Sequence, residues 1–365
     1  MIKYLKLYRI ILRNFGFRVR PLATFGLIQL HHLFSASTRA LDHVVTPGFR
    51  HQALDRPVFI LGNPRSGTTF LHRFLLNTEE LCAFRLWEML FPALTARRLL
   101  GGAIDRFAPL SPARYHGGEA HETSLRDVET DDAMHFFHSV DGGFLWSYFW
   151  AWEDTWDSPL CRRYFAPRDE APDVTEKYFR FFEGCWRRNV FQKKARPLVK
   201  SSTMTMRVET LLSRYPDSRL LYCVRDPVET IPSGMSLLTG VLENAYDMFR
   251  TAPAETRARY LENLYQASCH LFRAFHEVHA RGAIPGDRLR IVPYRRLTGD
   301  LENLMRELVE FLEISPPPAF WEKVGEQSDV QRTRQSANQY SLEKFGLTEE
   351  RIRRDLAFVY DTYDV

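Results

Sequence analysis

The chain is poor in cysteine, and its few cysteines are not arranged for a structural purpose. Its 365 residues include five cysteines, which are odd in number, far apart and never joined in a CxxC pair. Small disulfide-linked domains and zinc knuckles depend on paired or closely spaced cysteines. The pattern argues against both classes and predicts a protein of a reducing compartment, which we take to be the cytoplasm.

The sequence also lacks long apolar runs, a strong charge bias and internal repeats. No apolar run reaches the roughly 18 residues that predict a membrane-spanning helix. The formal net charge of +4 is too small to indicate nucleic acid as a partner. With 45% hydrophobic residues the chain can bury a sizeable core, and its length suits one α/β domain with insertions.

A glycine-bounded turn carries the strongest functional signal. The apolar run 58–61 predicts a buried strand, the turn from Gly62 to Gly67 follows it, and an apolar-periodic helix is predicted to begin at Thr68. The first N–H groups of such a helix have no partners inside it, and its dipole attracts anions. The sequence therefore predicts a phosphate-binding loop, and the alternative is a plain tight turn.

This loop departs from the nucleoside-triphosphate pattern GxxxxGK[ST]. Thr68 stands where that pattern has lysine, and Arg65 supplies a cation inside the loop instead. An arginine can donate to two oxygens of a phosphate or sulfate. We therefore predict group transfer rather than triphosphate hydrolysis.

Two further predicted strands end in groups that suit anion binding. The strand 197–200 ends in Lys200, and the strand 219–224 is followed by Arg225 and, in the next helix, by Ser233. Parallel strands place functional groups at their carboxyl ends. Arg225 and Ser233 are predicted to bind one phosphate, separate from the Arg65 loop. Two such sites suit a nucleoside with phosphates at both ends.

Glu88 is the candidate general base. It lies in an apolar segment between Trp87 and Met89, where burial would make it a better proton acceptor near neutral pH. The alternative is an ordinary ion pair with Arg85 or Arg97 on a helix face.

The segment 101–172 is the least informative part of the sequence. Its aromatic run 136–156 is typical of core, and the alternative is an apolar acceptor site. His135 and His138 lie one helical turn apart, but a third fixed ligand is missing, so we predict no metal site.

The first 55 residues form a basic amphipathic arm. Lysines and arginines alternate there with leucine, isoleucine and phenylalanine. We expect the arm to pack on the body of the protein, and the alternative is contact with an anionic membrane surface.

The motifs together resemble the sulfotransferases that use 3′-phosphoadenosine 5′-phosphosulfate (PAPS), and most of all the bacterial group related to the tyrosylprotein and carbohydrate enzymes. The matching stretches are Pro64–Thr69, Leu86–Met89, Leu198–Ser201, Arg225–Pro227 with Ser233, and Tyr340–Glu343. The resemblance implies an α/β, P-loop-type three-layer fold with a central parallel sheet flanked by helices. It implies a sulfotransferase domain over 56–365, with a helical and aromatic insertion at about 101–172, after the arm 1–55.

The resemblance also implies the donor and its contacts. PAPS would be the donor and 3′,5′-adenosine bisphosphate the product, and no metal would be needed. Arg225 and Ser233 would bind the 3′-phosphate. The groups implied for the 5′-phosphosulfate are Arg65 and the N–H groups of Ser66, Gly67, Thr68 and Thr69. A further strand is predicted over 289–293, and we assign Tyr294, which follows it directly, and Ser341 in the tail to the same donor site.

Catalytic roles follow from the same resemblance. Lys200 and Arg65 would stabilise charge on the leaving phosphate, and Glu88 matches the glutamate base of the tyrosylprotein branch. The transfer would be in-line, to a small-molecule or lipid hydroxyl. Cytosolic relatives use histidine as the base, so His116 or His121 is the alternative. The competing functions are a P-loop kinase or NTPase and a membrane-associated nucleotide-binding scaffold.

Overall fold

The computed structural model describes residues 2–110, 124–167, 170–333 and 341–365. By their internal contacts the residues divide into two compact units, which we call the helical unit and the sheet unit. The helical unit comprises Met1–Ala53, Phe84–Phe191 and Met235–Gln266, and the sheet unit comprises Leu54–Ala83, Gln192–Gly234 and Ala267–Val365. The predicted division into an arm and one domain stays a prediction.

The first half of the chain is mainly helical. Its helices are α1 (Ile2–Phe15), α2 (Arg20–Val45), α3 (Thr68–Leu75), α4 (Leu86–Leu90), α5 (Leu94–Leu100), α6 (Asp132–Ser139), α7 (Gly143–Tyr148), α8 (Pro159–Phe165) and α9 (Pro172–Val190). The later helices are α10 (Val208–Arg214), α11 (Pro227–Tyr246), α12 (Met248–Thr251), α13 (Ala254–Ala280), α14 (Tyr294–Gly299), α15 (Leu301–Leu312), α16 (Pro318–Thr333), α17 (Glu349–Asp355) and α18 (Ala357–Thr362). None of the helices described is long and apolar enough to cross a membrane.

The sheet unit is built on five parallel strands. They are β1 (Val58–Leu61), β2 (Leu81–Cys82), β3 (Arg196–Lys200), β4 (Arg219–Val224) and β5 (Leu289–Pro293), in the order β2-β3-β1-β4-β5. In this register Ile60 of β1 lies opposite Lys200 on one side and Leu221 on the other. Because all five strands run the same way, the groups that follow β1, β3 and β4 meet at one edge. The predicted α/β fold with a central parallel sheet is confirmed.

The strands are buried because helices cover them. Every residue of β1 is buried, and all of β4 except its first residue is buried. The core beside β1 contains Leu71 and Leu75 of α3 together with Leu304 and Leu308 of α15. These leucines recur at helical spacing, which is the pattern that lets one face of a helix pack on a sheet.

Two predicted helices differ in detail from the observed ones. The sequence predicts a helix over 173–195 that is capped by Asp173 and has Val174 buried. The observed helix is α9, which begins at Pro172 and ends at Val190; Asp173 lies in its first turn, and Val174 is exposed. Proline suits the first helical position because its missing N–H would have no partner there. The sequence also predicts one helix over 204–215, which the structure divides into a 3₁₀ turn, Thr203–Arg207, and α10.

Helix α1 packs on the helical unit as expected. It buries Leu7, Ile10 and Phe15, and the Phe15 ring stacks on Tyr246 at 4.7 Å. Lys3 donates to the carbonyl of Val140 at 2.7 Å. The aromatic run 136–156 contributes mainly core, with Trp146, Trp150 and Trp152 buried.

A buried ion pair joins three helices of the helical unit. The Asp42 carboxylate of α2 accepts from the Arg188 guanidinium of α9 at 2.7 Å and from the N–H groups of Leu94 and Thr95 at 3.0 and 2.8 Å. Arg188 also lies over the Phe49 ring at 3.9 Å. A buried charge needs this many partners because its desolvation is costly. Since Asp42 makes these contacts, the polar side of α2 faces the protein.

Candidate functional site

The glycine-bounded loop of the sheet unit has a constrained backbone. Gly62, Arg65 and Gly67 have φ values of 121°, 75° and 90°. The Gly62 N–H donates to the Thr205 hydroxyl at 2.9 Å, and the Ser66 hydroxyl donates to the Asn63 carbonyl at 2.7 Å. Left-handed φ is unfavourable for a residue with a Cβ, so Arg65 is held in a conformation that costs free energy. Such a residue is typical of functional loops.

Neighbouring groups leave no room for side chains at the two glycines. A Cβ on Gly62 would collide with the Cys223 carbonyl oxygen of β4. A Cβ on Gly67 would lie 2.5 Å from Leu297 and 3.0 Å from Tyr294. The loop therefore needs glycine at both ends, and helix α3 starts immediately after it.

Arg65 lies in a cluster with the groups that follow β4. The Arg65 Nε donates to the Ser233 hydroxyl at 2.9 Å, and the Arg225 guanidinium donates to the Arg65 carbonyl at 3.3 Å. Arg225 also lies over the Tyr294 ring at 4.1 Å, a cation–π geometry. Residues far apart in sequence meet here because parallel strands end at the same edge. The sequence predicts Arg225 and Ser233 as a site separate from the Arg65 loop, whereas the Arg65 side chain contacts Ser233 directly. We call Arg65, Arg225, Ser233 and Tyr294 the arginine cluster.

Glu229 balances the charge of this cluster. Its carboxylate accepts from the Arg225 Nε at 2.7 Å, one helical turn along α11. The Glu229 side chain is 57% exposed, whereas that of Arg225 is 15% exposed. The pair is therefore open to solvent on its carboxylate side, while its guanidinium side is largely covered.

Lys200 lies at the end of β3, beside the start of α3. Its ammonium donates to the Thr69 hydroxyl at 3.1 Å, and the residue is 6% exposed. The neighbouring strand register places it there, since Lys200 pairs with Ile60 just before the loop. The predicted approach of Lys200 to the loop helix is observed.

His72 is a buried neighbour of this lysine that sequence reasoning missed. Its Nε2 lies 3.3 Å from the Leu198 carbonyl. Burial, and then the nearby charge of Lys200, lowers the pKa of His72 to about 3. The ring is therefore neutral at pH 7 and adds no charge next to Lys200. The sequence places His72 one helical turn after Thr68, which could have indicated a residue near the loop, but the same spacing also fits a residue of the core.

Asp226, the carboxylate that a triphosphatase would need at a strand end, is hydrogen-bonded to other groups of the protein. It accepts from the Val228 N–H at 2.8 Å and from the Tyr360 hydroxyl at 2.7 Å. Within the described ranges no group of three or more histidine, cysteine, aspartate or glutamate residues is arranged to hold a metal.

Glu88 belongs to the helical unit and has structural contacts there. One carboxylate oxygen accepts from the Arg85 N–H at 2.8 Å, which caps α4, and the other lies 3.7 Å from the Arg97 guanidinium. Arg97 also donates to the Glu88 carbonyl at 3.2 Å. The ion pair with Arg97 is the alternative raised for Glu88 from the sequence. These contacts fix the carboxylate in place, and its catalytic role stays a prediction.

The histidine pair at 135 and 138 is used in packing. The His138 Nε2 lies 2.7 Å from the Met89 carbonyl and its Nδ1 lies 3.2 Å from the Ser35 hydroxyl, while His135 stacks on Tyr178 at 3.9 Å. Burial holds the pKa of His138 well below its usual range. Both nitrogens of His138 are engaged, so it is not arranged as a metal ligand.

The remaining predicted site residues lie in the tail, at the start of α14, or outside the described residues. Ser341 is exposed, and its hydroxyl accepts from the Lys344 N–H at 3.3 Å. The alternative bases His116 and His121, and Tyr340 of the matched tail, lie outside the described residues. Tyr294 is in the arginine cluster, at the start of α14.

Comparison with known proteins identifies a family and relatives. The family model described as "Sulfotransferase family" matches residues 57–318. Two relatives, from Mycobacterium bovis and Mycobacterium tuberculosis, are both named omega-hydroxy-beta-dihydromenaquinone-9 sulfotransferase Stf3. Each is 23% identical over 264 residues, which cover 71% of this chain and 63% of the relative. The match thus spans less than two thirds of those relatives.

Solved structures show the same fold. The sulfotransferase STF9 from Mycobacterium avium matches with a TM-score of 0.68 at 18% identity, over 90% of this chain and 82% of its own. The sulfotransferase STF1 from Mycobacterium tuberculosis also matches with a TM-score of 0.68 at 18% identity, over 97% and 90%.

Proposed function

The chain belongs to the sulfotransferase family, and on that premise we propose that it transfers the sulfuryl group of PAPS to a hydroxyl acceptor. The single observation that carries the donor proposal is the arginine cluster beside a glycine loop. Arg65 and Arg225, which follow different strands, are linked there by the Arg225 hydrogen bond to the Arg65 carbonyl, and helix α3 begins just after the loop. Guanidinium groups and helix N-termini are the protein groups best suited to bind phosphate and sulfate.

In this proposal the loop and the cluster share the donor. Arg65 and the N–H groups of Ser66, Gly67, Thr68 and Thr69 bind the 5′-phosphosulfate, and Arg225 with Ser233 binds the 3′-phosphate. Tyr294 supports Arg225 through its ring face. Ser341 is kept as a further donor contact.

The reaction proposed is an in-line transfer. The bond between sulfur and the 5′-phosphate oxygen breaks as the bond from sulfur to the acceptor oxygen forms. Negative charge grows on the leaving phosphate, where Lys200 and Arg65 stabilise it more in the transition state than in the ground state. Glu88 takes the acceptor proton, a role that rests on the family resemblance.

The acceptor proposed is a small-molecule or lipid alcohol. The support is that the curated relatives are named for a hydroxylated menaquinone. An untargeted screen for sulfated products, in cells that overproduce the protein, identifies the acceptor for the assays below.

Donor binding is tested by thermal shift. We expect 3′,5′-adenosine bisphosphate to raise the melting temperature without added metal, and ATP with magnesium to have little effect. Arg225→Gln should weaken binding of the bisphosphate by about 10- to 100-fold, because it removes a charge-assisted hydrogen bond. The control Arg281→Gln, which removes an exposed arginine paired with Glu209, should bind normally. Stabilisation by ATP–magnesium alone would favour the kinase or NTPase alternative, and binding without any acceptor turnover would favour the scaffold.

The base is tested with Glu88→Gln. Glutamine can still accept from the Arg85 N–H and cap α4, but it cannot take a proton, so the rate of transfer should fall by about 10²- to 10⁴-fold. The affinity for 3′,5′-adenosine bisphosphate should stay close to wild type. The melting temperature should fall, because the largely buried Arg97 guanidinium loses its negatively charged neighbour. A wild-type rate in this variant would leave Glu88 with only its structural role, and the base would have to be sought elsewhere, starting with His116 and His121.

A further inference from the structure

Exposed apolar side chains are concentrated on the first two helices. Fifteen large apolar side chains are exposed among the described residues, and twelve of them lie between Ile2 and Val45. The other three, Leu99, Val174 and Val330, are scattered. Single exposed apolar residues are ordinary, whereas a contiguous set marks an interaction surface.

Helix α2 has the opposite polarity to an ordinary surface helix. Its protein-facing side is polar: Asp42 pairs with Arg188, the His31 Nε2 lies 2.7 Å from the Leu90 carbonyl, and the His32 Nε2 lies 2.9 Å from the Phe137 carbonyl. A helix that faces water normally turns its apolar side to the protein and its polar side outward. The outward side of α2 is therefore adapted to an apolar environment.

The outward face of α2 follows the helical period. The exposed large apolar residues on and just before this helix are Val19, Leu22, Leu27, Leu30, Leu33, Leu41, Val44 and Val45. Leu30 and Leu33 are 66% and 67% exposed. Arg39 is the one aspartate, glutamate, lysine or arginine in residues 21–41 of the sequence, and its guanidinium lies over the Phe181 ring at 5.1 Å. We call this surface the outer face of α2.

The charge on α1, which contacts α2 through the Tyr4 and Phe25 rings at 5.2 Å, has one sign. The basic residues from α1 to the start of α2 are Lys3, Lys6, Arg9, Arg13, Arg18 and Arg20, and the sequence has no acidic residue before Asp42. Lys6, Arg9 and Arg20 are exposed. Two copies of the chain that met through this region would bring like charges together. An anionic lipid surface is complementary to both the apolar row and the cations.

We propose that the outer face of α2, with the turn that contains Phe17, binds the surface of an anionic lipid bilayer. The leucines and Phe17, which is 66% exposed, enter the boundary between headgroups and acyl chains, and Lys6, Arg9 and Arg20 contact lipid phosphates. The helix lies in the plane of the membrane because its polar side is held by the protein. Packing on the protein and binding to a membrane, which the sequence presented as alternatives, use opposite sides of the same helix.

The test is co-sedimentation of the full chain with vesicles. Wild-type protein should bind vesicles of phosphatidylcholine and phosphatidylglycerol, and it should bind vesicles of phosphatidylcholine alone at least tenfold more weakly. The double variant Leu30→Gln/Leu33→Gln should bind the vesicles of phosphatidylcholine and phosphatidylglycerol at least tenfold more weakly than wild type, because two exposed leucines no longer leave water on binding. The matched control Leu99→Gln/Val174→Gln also replaces two exposed apolar residues and should bind as wild type does. Lys6→Glu/Arg9→Glu/Arg20→Glu should abolish the preference for phosphatidylglycerol.

Three results would overturn the proposal. One is the absence of vesicle binding by a folded wild-type protein. Another is equal loss of binding in the Leu99/Val174 control. The third is a concentration-dependent dimer in sedimentation velocity that Leu30→Gln/Leu33→Gln dissociates, with no vesicle binding, which would make the face an interface between two copies. None of these readouts depends on sulfuryl transfer, so the proposed function can fail or succeed separately.

Discussion

Replacing Arg65 by alanine should lower the rate of sulfuryl transfer by about 10²- to 10³-fold, the usual effect of removing one preorganised donor from a transition state. The Arg65 guanidinium is held by the Ser233 hydroxyl at 2.9 Å, so its direction is set before the donor binds. Rates are measured as formation of 3′,5′-adenosine bisphosphate from PAPS with the acceptor found in the product screen.

The left-handed backbone at Arg65 provides a matched control. With φ of 75°, glycine should be tolerated better than alanine by about 1–2 kcal/mol, although both lack the guanidinium. Arg65→Gly and Arg65→Ala should therefore lose activity equally, while Arg65→Gly unfolds at the higher temperature. Activity that follows the melting temperature across the two variants would mean that Arg65 acts on the fold and not on the reaction.

Gly62→Ala should be the most destabilising substitution in the loop, at about 4 kcal/mol or more, or should prevent folding altogether. The added Cβ meets the Cys223 carbonyl oxygen, which is a backbone atom of the neighbouring strand β4. Strand β1 pairs with β4 over four residues, from Val58 to Leu61, so relief of the clash would break the centre of the sheet. A φ of 121° at Gly62 adds further strain for any L-residue.

The control for this substitution is Gly240→Ala in α11. Nothing lies within 4 Å of a Cβ added there, and alanine is favoured over glycine within a helix by about 0.5–1 kcal/mol. Urea unfolding should therefore show Gly240→Ala at or above the wild-type midpoint and Gly62→Ala far below it. Equal midpoints for Gly62→Ala and wild type would contradict the close approach of the loop to β4.

Elements with a complete local signal were predicted well. Strands β1 and β4 match the apolar runs at 58–61 and 219–224, because each run is buried on both faces and bounded by turn residues. Strand β2 was not predicted, since a strand of two residues, Leu81–Cys82, has no periodicity to detect. The end of α9 was misplaced because nothing in 191–195 is incompatible with a helix.

The sequence allowed a residue of the candidate site to be placed where its position follows from the topology of the sheet. Arg65, Lys200 and Arg225 were each placed at a strand end, and parallel strands bring such ends together. The stacking of Arg225 on Tyr294 had no local signal, because it depends on how α14 returns to the loop. For His72 the helical spacing from Thr68 also fits a core residue, and its burial beside Lys200 follows from the strand register.

Residue types along the chain were enough to identify the family, the glycine-bounded loop from Gly62 to Gly67 and the parallel sheet that presents it. These properties are local, since they depend on residue types at short spacing. The folded structure was needed to show that the Glu88 carboxylate contacts Arg97 and that α2 turns its polar side toward the protein. A charge finds its partners, and a helix face becomes buried, through packing between segments that are far apart in the chain. No short sequence pattern encodes that packing.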